Sequence, residues 1–192
     1  MKFNILLLTL ITFLSHFSYA ADDAAVISKI VGMAYVDGKI AQVGDPLKVG
    51  QDIRLKKIKD YLEIKYSAGH IVRLSGAVVK VRAITKEQSY LQLFKGSIYS
   101  VVKKLGKYDK FQIRTRNASF GVRGTKFFVQ QEKSQSYLCV CEGKVVATKD
   151  KKEVEVKKDQ DLFVSDSKPF KTQAASKQMI KMGNDTFKSM TN

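Results

Sequence analysis

The chain has 192 residues, with 34 Lys and Arg against 18 Asp and Glu, and a formal net charge of +16. Two Cys exclude a disulfide scaffold, two His leave little for acid–base or metal chemistry, and the length suits one ordinary domain with a real core. The charge surplus favours acidic partners, with a solvated lysine coat as the plainer alternative.

The first twenty residues read separately. Met1-Lys2 is a short basic start, 5–17 is an apolar run, and Ser18-Tyr19-Ala20 ends in small residues where a signal peptidase reads. This predicts a signal peptide over 1–20, cleaved near Ala20/Ala21, and a periplasmic or secreted mature chain. Losing Lys2 with the leader leaves +15. Export makes nucleic acid a poor partner. No later run reaches the about eighteen apolar residues of a spanning helix, so no transmembrane span is expected after the leader is removed.

Strand patterns follow, separated by glycine-bearing turns. Residues 26–36 read as a strand or a pair, closed by the hairpin-type turn Asp37-Gly38, with 40–43 next. A turn region covers 44–53. Residues 61–66 alternate strictly, 67–70 turn, and 71–74 form a strand that Ser75-Gly76 ends. A further strand is expected over 77–83. Then come 90–94, a turn at Lys95-Gly96, and 97–102. Residues 111–115 precede a strand broken by glycines at 118–129. Residues 138–141, the turn Glu142-Gly143, 144–148, 153–156 and 161–164 finish the body. Segments 91–98 and 138–145 share one pattern and predict a recurring strand–Gly–strand unit. Pro46 and Pro169 fall outside every such run. The expected fold is all-β: a β-roll of short strands with Gly turns, solenoid-like or sandwich, with the repeated unit favouring the solenoid-like form. The β domain is placed at 26–168 and a tail at 169–192. Ala174, Ala175, Met179, Met182 and Phe187 give the tail helical spacing, with a break expected near Gly183-Asn184. It either packs on the sheet edge or frays, or serves as a partner- or membrane-touching tail.

No catalytic set assembles from the sequence. After the leader, His70 is the one histidine, and paired carboxylates alternate with lysines. No catalytic residue, metal site or cofactor is expected, and the chain reads as a non-enzyme. Cys139 and Cys141 sit at i and i+2 of a strand, roughly 6.5–7 Å apart at Cα, the edge of disulfide geometry. They read as two small buried apolar residues.

The segment Ala118-Ser119-Phe120-Gly121-Val122-Arg123-Gly124-Thr125-Lys126-Phe127-Phe128-Val129 is the chain's most unusual stretch. Gly121 and Gly124 permit close backbone approach, and Arg123 offers five donors in a fixed fork. Either Arg123 and nearby N–H groups form an anion site, or Arg123 folds inward and ties turns together through carbonyls or an acid such as Glu142. The flanking strands favour the second. Together with Val140-Cys141-Glu142-Gly143-Lys144-Val145, the segment resembles the signature of the FecR domain family. That signature is a strand, Val-Arg-Gly-Thr, an acid or similar residue, Phe, and then a Val-rich strand ending in Glu-Gly. Segments 44–47, 49–53 and 91–98 fit upstream parts, and the resemblance spans 26–164. The motif residues are Gly121, Val122, Arg123, Gly124, Thr125, Phe127, Glu142 and Gly143. Lys126 stands where the family commonly has an acid.

The resemblance implies an exported β-rich domain without known catalysis. The family's best understood members resemble transmembrane regulators, sensing an outer-membrane transporter outside and controlling a sigma factor inside. Here a leader stands where the cytoplasmic region would be. The expected function is an exported binding or scaffold module in the cell envelope, recognising an envelope protein, an acidic polymer or lipid head groups. The alternative is a periplasmic signalling subunit of a transporter-linked sigma-factor pathway.

Overall fold

The computed structural model describes residues 23–107, 109–122, 124–167 and 169–192. The expected leader and Arg123 lie outside the described residues. The strands are β1 Ala25–Val31, β2 Ala34–Val36, β3 Lys39–Ile40, β4 Asp52–Leu55, β5 Tyr61–Tyr66, β6 Ile71–Ile84, β7 Gln88–Val101 and β8 Lys110–Arg114. They continue with β9 Ser119–Val122, β10 Lys126–Glu132, β11 Gln135–Glu142, β12 Lys144–Lys149, β13 Lys152–Lys157, β14 Gln160–Val164 and β15 Gln173–Ala174, and α1 covers Lys177–Thr191.

All these strands belong to one sheet, folded over into two layers. The first layer runs β3-β2-β4, the second half of β6, the first half of β7, then β8-β9-β12-β13. The second runs β1-β5, the first half of β6, the second half of β7, then β10-β11-β14-β15. Pairing is antiparallel except between β7 and β8. Of the two arrangements left open by the sequence, the chain takes the sandwich-like one, with two facing layers, and not the solenoid-like one that the repeated unit favours. The strands here are not stacked in successive coils; most passes of the chain cross between layers.

Two bent hairpins make the crossing. In the first, β6 and β7 are each continuous over 14 residues. Gly76 and Gly96 therefore end no strand; they mark the bend, where the register shifts between Ser75 and Val78. Gly96 has φ +87°, and a Cβ there would lie 2.4 Å from the Gly76 carbonyl oxygen. In the second, β9 passes into β10 while β12 pairs with β9 and β11 with β10. Gly143, at φ +78°, would put a Cβ 2.6 Å from the Gly124 carbonyl oxygen. The recurring strand–Gly–strand unit is therefore real, but its glycine bends a ribbon between layers and does not reverse it.

The core fills the space between layers. Alternation sends Leu62, Ile64, Val72, Leu74, Ile98, Phe127, Val129, Leu138 and Val140 inward from the second layer, all fully buried. They meet Leu91, Leu93, Phe111, Ile113 and Phe120 of the first. Phe111 of β8 packs edge-on against Phe127 of β10 at 6.5 Å, and Tyr66 shares a hydrogen bond with Ser89 at 2.9 Å across the layers. Burial pushes the Tyr66 phenol up to about 12.

The helix covers the outer face of the second layer. Ser176 caps it, accepting a hydrogen bond from the Met179 N–H. Phe187 and Met190 bury against Phe128, Tyr137, Cys139 and Cys141. The expected break at Gly183 does not occur: α1 runs through it. A Cβ at Gly183 would lie 2.8 Å from Cys141 Sγ, so the glycine brings helix and sheet together. Both cysteines are free and buried. The neighbouring Cys141 thiol and burial push the Cys139 thiol up.

Gly96→Ala is expected to lower the unfolding free energy by roughly 2–4 kcal/mol, through its left-handed backbone and the blocked Cβ position. Urea denaturation measures it. A loss below about 0.5 kcal/mol would mean that the bend has slack.

Candidate functional site

The glycine-flanked motif straddles the two layers. Gly121 and Val122 lie in β9; Val122 is buried in the core. Phe127 of β10 is also in the core, in the opposite layer. Between them Thr125, itself buried, exchanges backbone hydrogen bonds with Val102 at 2.9 and 3.0 Å. Gly124 and Gly143 sit back to back at the crossing. Gly121 does not take part in it: it pairs with Gln112 and Val146 in mid-strand, and the nearest atom to a Cβ there would be 3.9 Å away. Glu142, one proposed tie for Arg123, is paired in register with Lys126, whose Nζ lies 2.7 Å from its carboxylate. Both are well exposed, so this pair adds little stability. Lys126, in the position where the family commonly has an acid, thus meets an acid across the ladder.

Another charged constellation lies on the outer face of the second layer. Glu63 of β5 and Arg73 of β6 are register partners, both under 10% exposed. Arg73 Nε donates to Glu63 Oε1 at 2.9 Å, and Nη2 donates to the same oxygen. The guanidinium lies 4.4 Å from the Tyr61 ring centre, and Lys29 approaches the same ring. Sequence reasoning missed this pair because strict alternation in 61–66 marks Glu63 as outward and therefore solvated. Opposite charges facing across a short turn were the available signal.

His70, the one histidine of the sequence after the leader, packs against the rings of Tyr66 and Phe111. It is 6% exposed, edge-on to Phe111 at 5.9 Å, and its Nδ1 accepts the Lys103 N–H at 3.1 Å. Burial holds its pKa below the ordinary imidazole value, with Asp109 opposing and Lys103 adding to the effect. Among the described residues no group of three or more His, Cys, Asp or Glu is placed to hold a metal ion.

Two grooves flank the first turns of α1. One, of about 430 Å³, is lined by Tyr137, Asp161, Phe163 and Met179. Tyr137 donates to Asp161 at 2.8 Å in its wall, and burial pushes the phenol well above its usual range. The other, of about 800 Å³, opens at the bend of the first hairpin between Phe94, Tyr99, Met179 and Met182. Lys95, Arg116 and Lys133 rim it, with Glu132 as its one acid among the described lining residues.

These features define an all-β roll in which α1 seals part of an outer sheet face and leaves grooves beside it. Residues 57–146 match the family model described as "FecR protein", and the chain carries a FecR domain. The match starts just before β5, ends within β12 and so contains both bends. Two crystal structures described as "a putative anti-sigma factor from Parabacteroides distasonis ATCC 8503" are similar, each with a TM-score of 0.58 at 19% identity. The likeness covers 68% of this chain and 62% of that one, and it is a likeness of fold. No curated protein matches the chain. No helix among the described residues is long and apolar enough to cross a membrane.

Arg73→Met is expected to cost about 3–5 kcal/mol by leaving the Glu63 carboxylate buried and unpaired. Adding Glu63→Leu should restore most of the loss. Denaturant titration of both variants checks this; an unchanged midpoint for Arg73→Met would mean that water already solvates the pair.

Proposed function

We propose that this chain is a non-catalytic FecR-like module of the cell envelope that works by binding, recognising an envelope protein or an anionic polymer or lipid surface. The FecR domain supports a regulatory rather than catalytic class. The observation that carries the reading is the charge, +16 over the chain, set on a rigid β scaffold. Lysines at turns and edges, among them Lys56, Lys57, Lys59, Lys104 and Lys133, are exposed. A field of this sign steers acidic partners and repels further copies of the same chain.

A second reading has one observation behind it. The structural neighbours described as anti-sigma factors favour a signalling subunit of a transporter-linked sigma-factor pathway. Transcript profiles of a deletion strain and its parent separate the two, because a pure binding module leaves sigma-factor targets unchanged.

The binding reading predicts salt-sensitive capture. Immobilised protein should retain an acidic envelope component at low ionic strength and release it as salt rises through the range that screens exposed charges, about 0.1 to 1 M. Nothing retained at low salt would sink the reading.

A further inference from the structure

The loop between β4 and β5 combines two properties that charge alone does not explain. It reads Lys56-Lys57-Ile58-Lys59, and all four residues are exposed. Ile58 is 88% exposed, the most solvent-facing large apolar side chain described. Phe94, 47% exposed, lines the same 800 Å³ groove as Ile58, beside Lys95. An apolar tip thus stands among the three exposed lysines of its own loop, and the apolar surface continues behind it into the groove past Tyr99 and Met182, with exposed Lys95 beside Phe94.

The tip is held firmly. The Asp60 N–H donates to the Lys57 carbonyl at 3.0 Å, and the Asp60 carboxylate accepts the Lys57 N–H at 3.3 Å. Gly76 N–H donates to the Asp60 carbonyl at 3.0 Å, and Ser75 Oγ donates to the Ile58 carbonyl at 3.3 Å. The loop is therefore tied to the bend of the first hairpin, and Ile58 stays exposed on a fixed support. The nearby acids are spoken for: Asp60 is buried under the loop, and the Glu132 carboxylate accepts from Gln130. Lys56 lies 4.9 Å from the Tyr35 ring centre and remains exposed.

We propose that this corner docks on the face of an anionic lipid bilayer. Ile58 and Phe94 enter the boundary between head groups and acyl chains, while Lys56, Lys57, Lys59 and Lys95 meet the phosphates. The inference rests on the binding reading above and names the partner and the surface. A dissolved acidic polymer gains nothing from an exposed isoleucine and phenylalanine. A second copy of the chain is repelled by its own charge. A bilayer uses both the apolar tip and the exposed lysines beside it.

The test is co-sedimentation of the purified protein with vesicles of phosphatidylcholine alone or mixed equally with phosphatidylglycerol. The protein is expected to bind the mixed vesicles at least about tenfold more tightly than the neutral ones. Ile58→Ser with Phe94→Ser should weaken that binding by about tenfold, with the charge unchanged. Both side chains are exposed, so the melting temperature should hold, and binding to soluble polyglutamate should be unaltered. Equal binding by the double variant, equal binding to both vesicle types, or no binding to either would overturn the proposal. If vesicle binding fails while salt-sensitive capture of an envelope protein persists, the corner is refuted and the broader reading stands.

Discussion

The close approach of glycine backbones at two bends is the constraint on which the rest of this structure depends. Gly96 lies against the Gly76 carbonyl, and Gly143 against that of Gly124. With a Cβ at either position the ribbons could not cross so tightly. Because they do, one continuous sheet folds onto itself, and the inward side chains of both layers share a single core. Hydrophobic burial then stabilises a geometry that the glycines make sterically accessible.

The same bends organise the outer surface. Register places Glu63, Arg73, Tyr99, Phe128, Cys139 and Asp161 in one row across the second layer. The row is charged at one end, apolar in the middle and acidic at the other. The helix lies over the apolar middle, drawn close by Gly183, and leaves a groove to each side of its first turns. At the charged end, the bend that shapes the ribbon also anchors the β4–β5 loop. The loop and the fold thus have a common origin: Ile58 is presented where the hairpin bends at Gly76.

Much of the fold was legible in the sequence. Alternation located β5, and Asp37-Gly38, both at positive φ, forms the expected tight hairpin. What misled was glycine. Set between apolar runs beside Ser75 or Lys95, it reads as a turn whether the chain reverses or only bends, and so β6 and β7 were each split in two. At Gly183 glycine reads as a break, yet close packing on Cys141 makes it an asset within the helix. The motif was legible as a family mark. Its two halves lie in different layers, which no local pattern reveals, and Glu142 is already engaged by Lys126. The corner loop went unread because Lys56-Lys57-Ile58-Lys59 has no periodicity; its importance lies in what stands beside it in space.

The most direct measurement compares the unfolding free energies of Gly143→Ala and Gly121→Ala. They sit on either side of the same motif, one at the crossing and one in mid-strand, where the nearest atom to a Cβ would be 3.9 Å away. The account predicts a loss of roughly 2–4 kcal/mol for Gly143→Ala and a change within about 1 kcal/mol for Gly121→Ala. Equal losses at the two positions would contradict it.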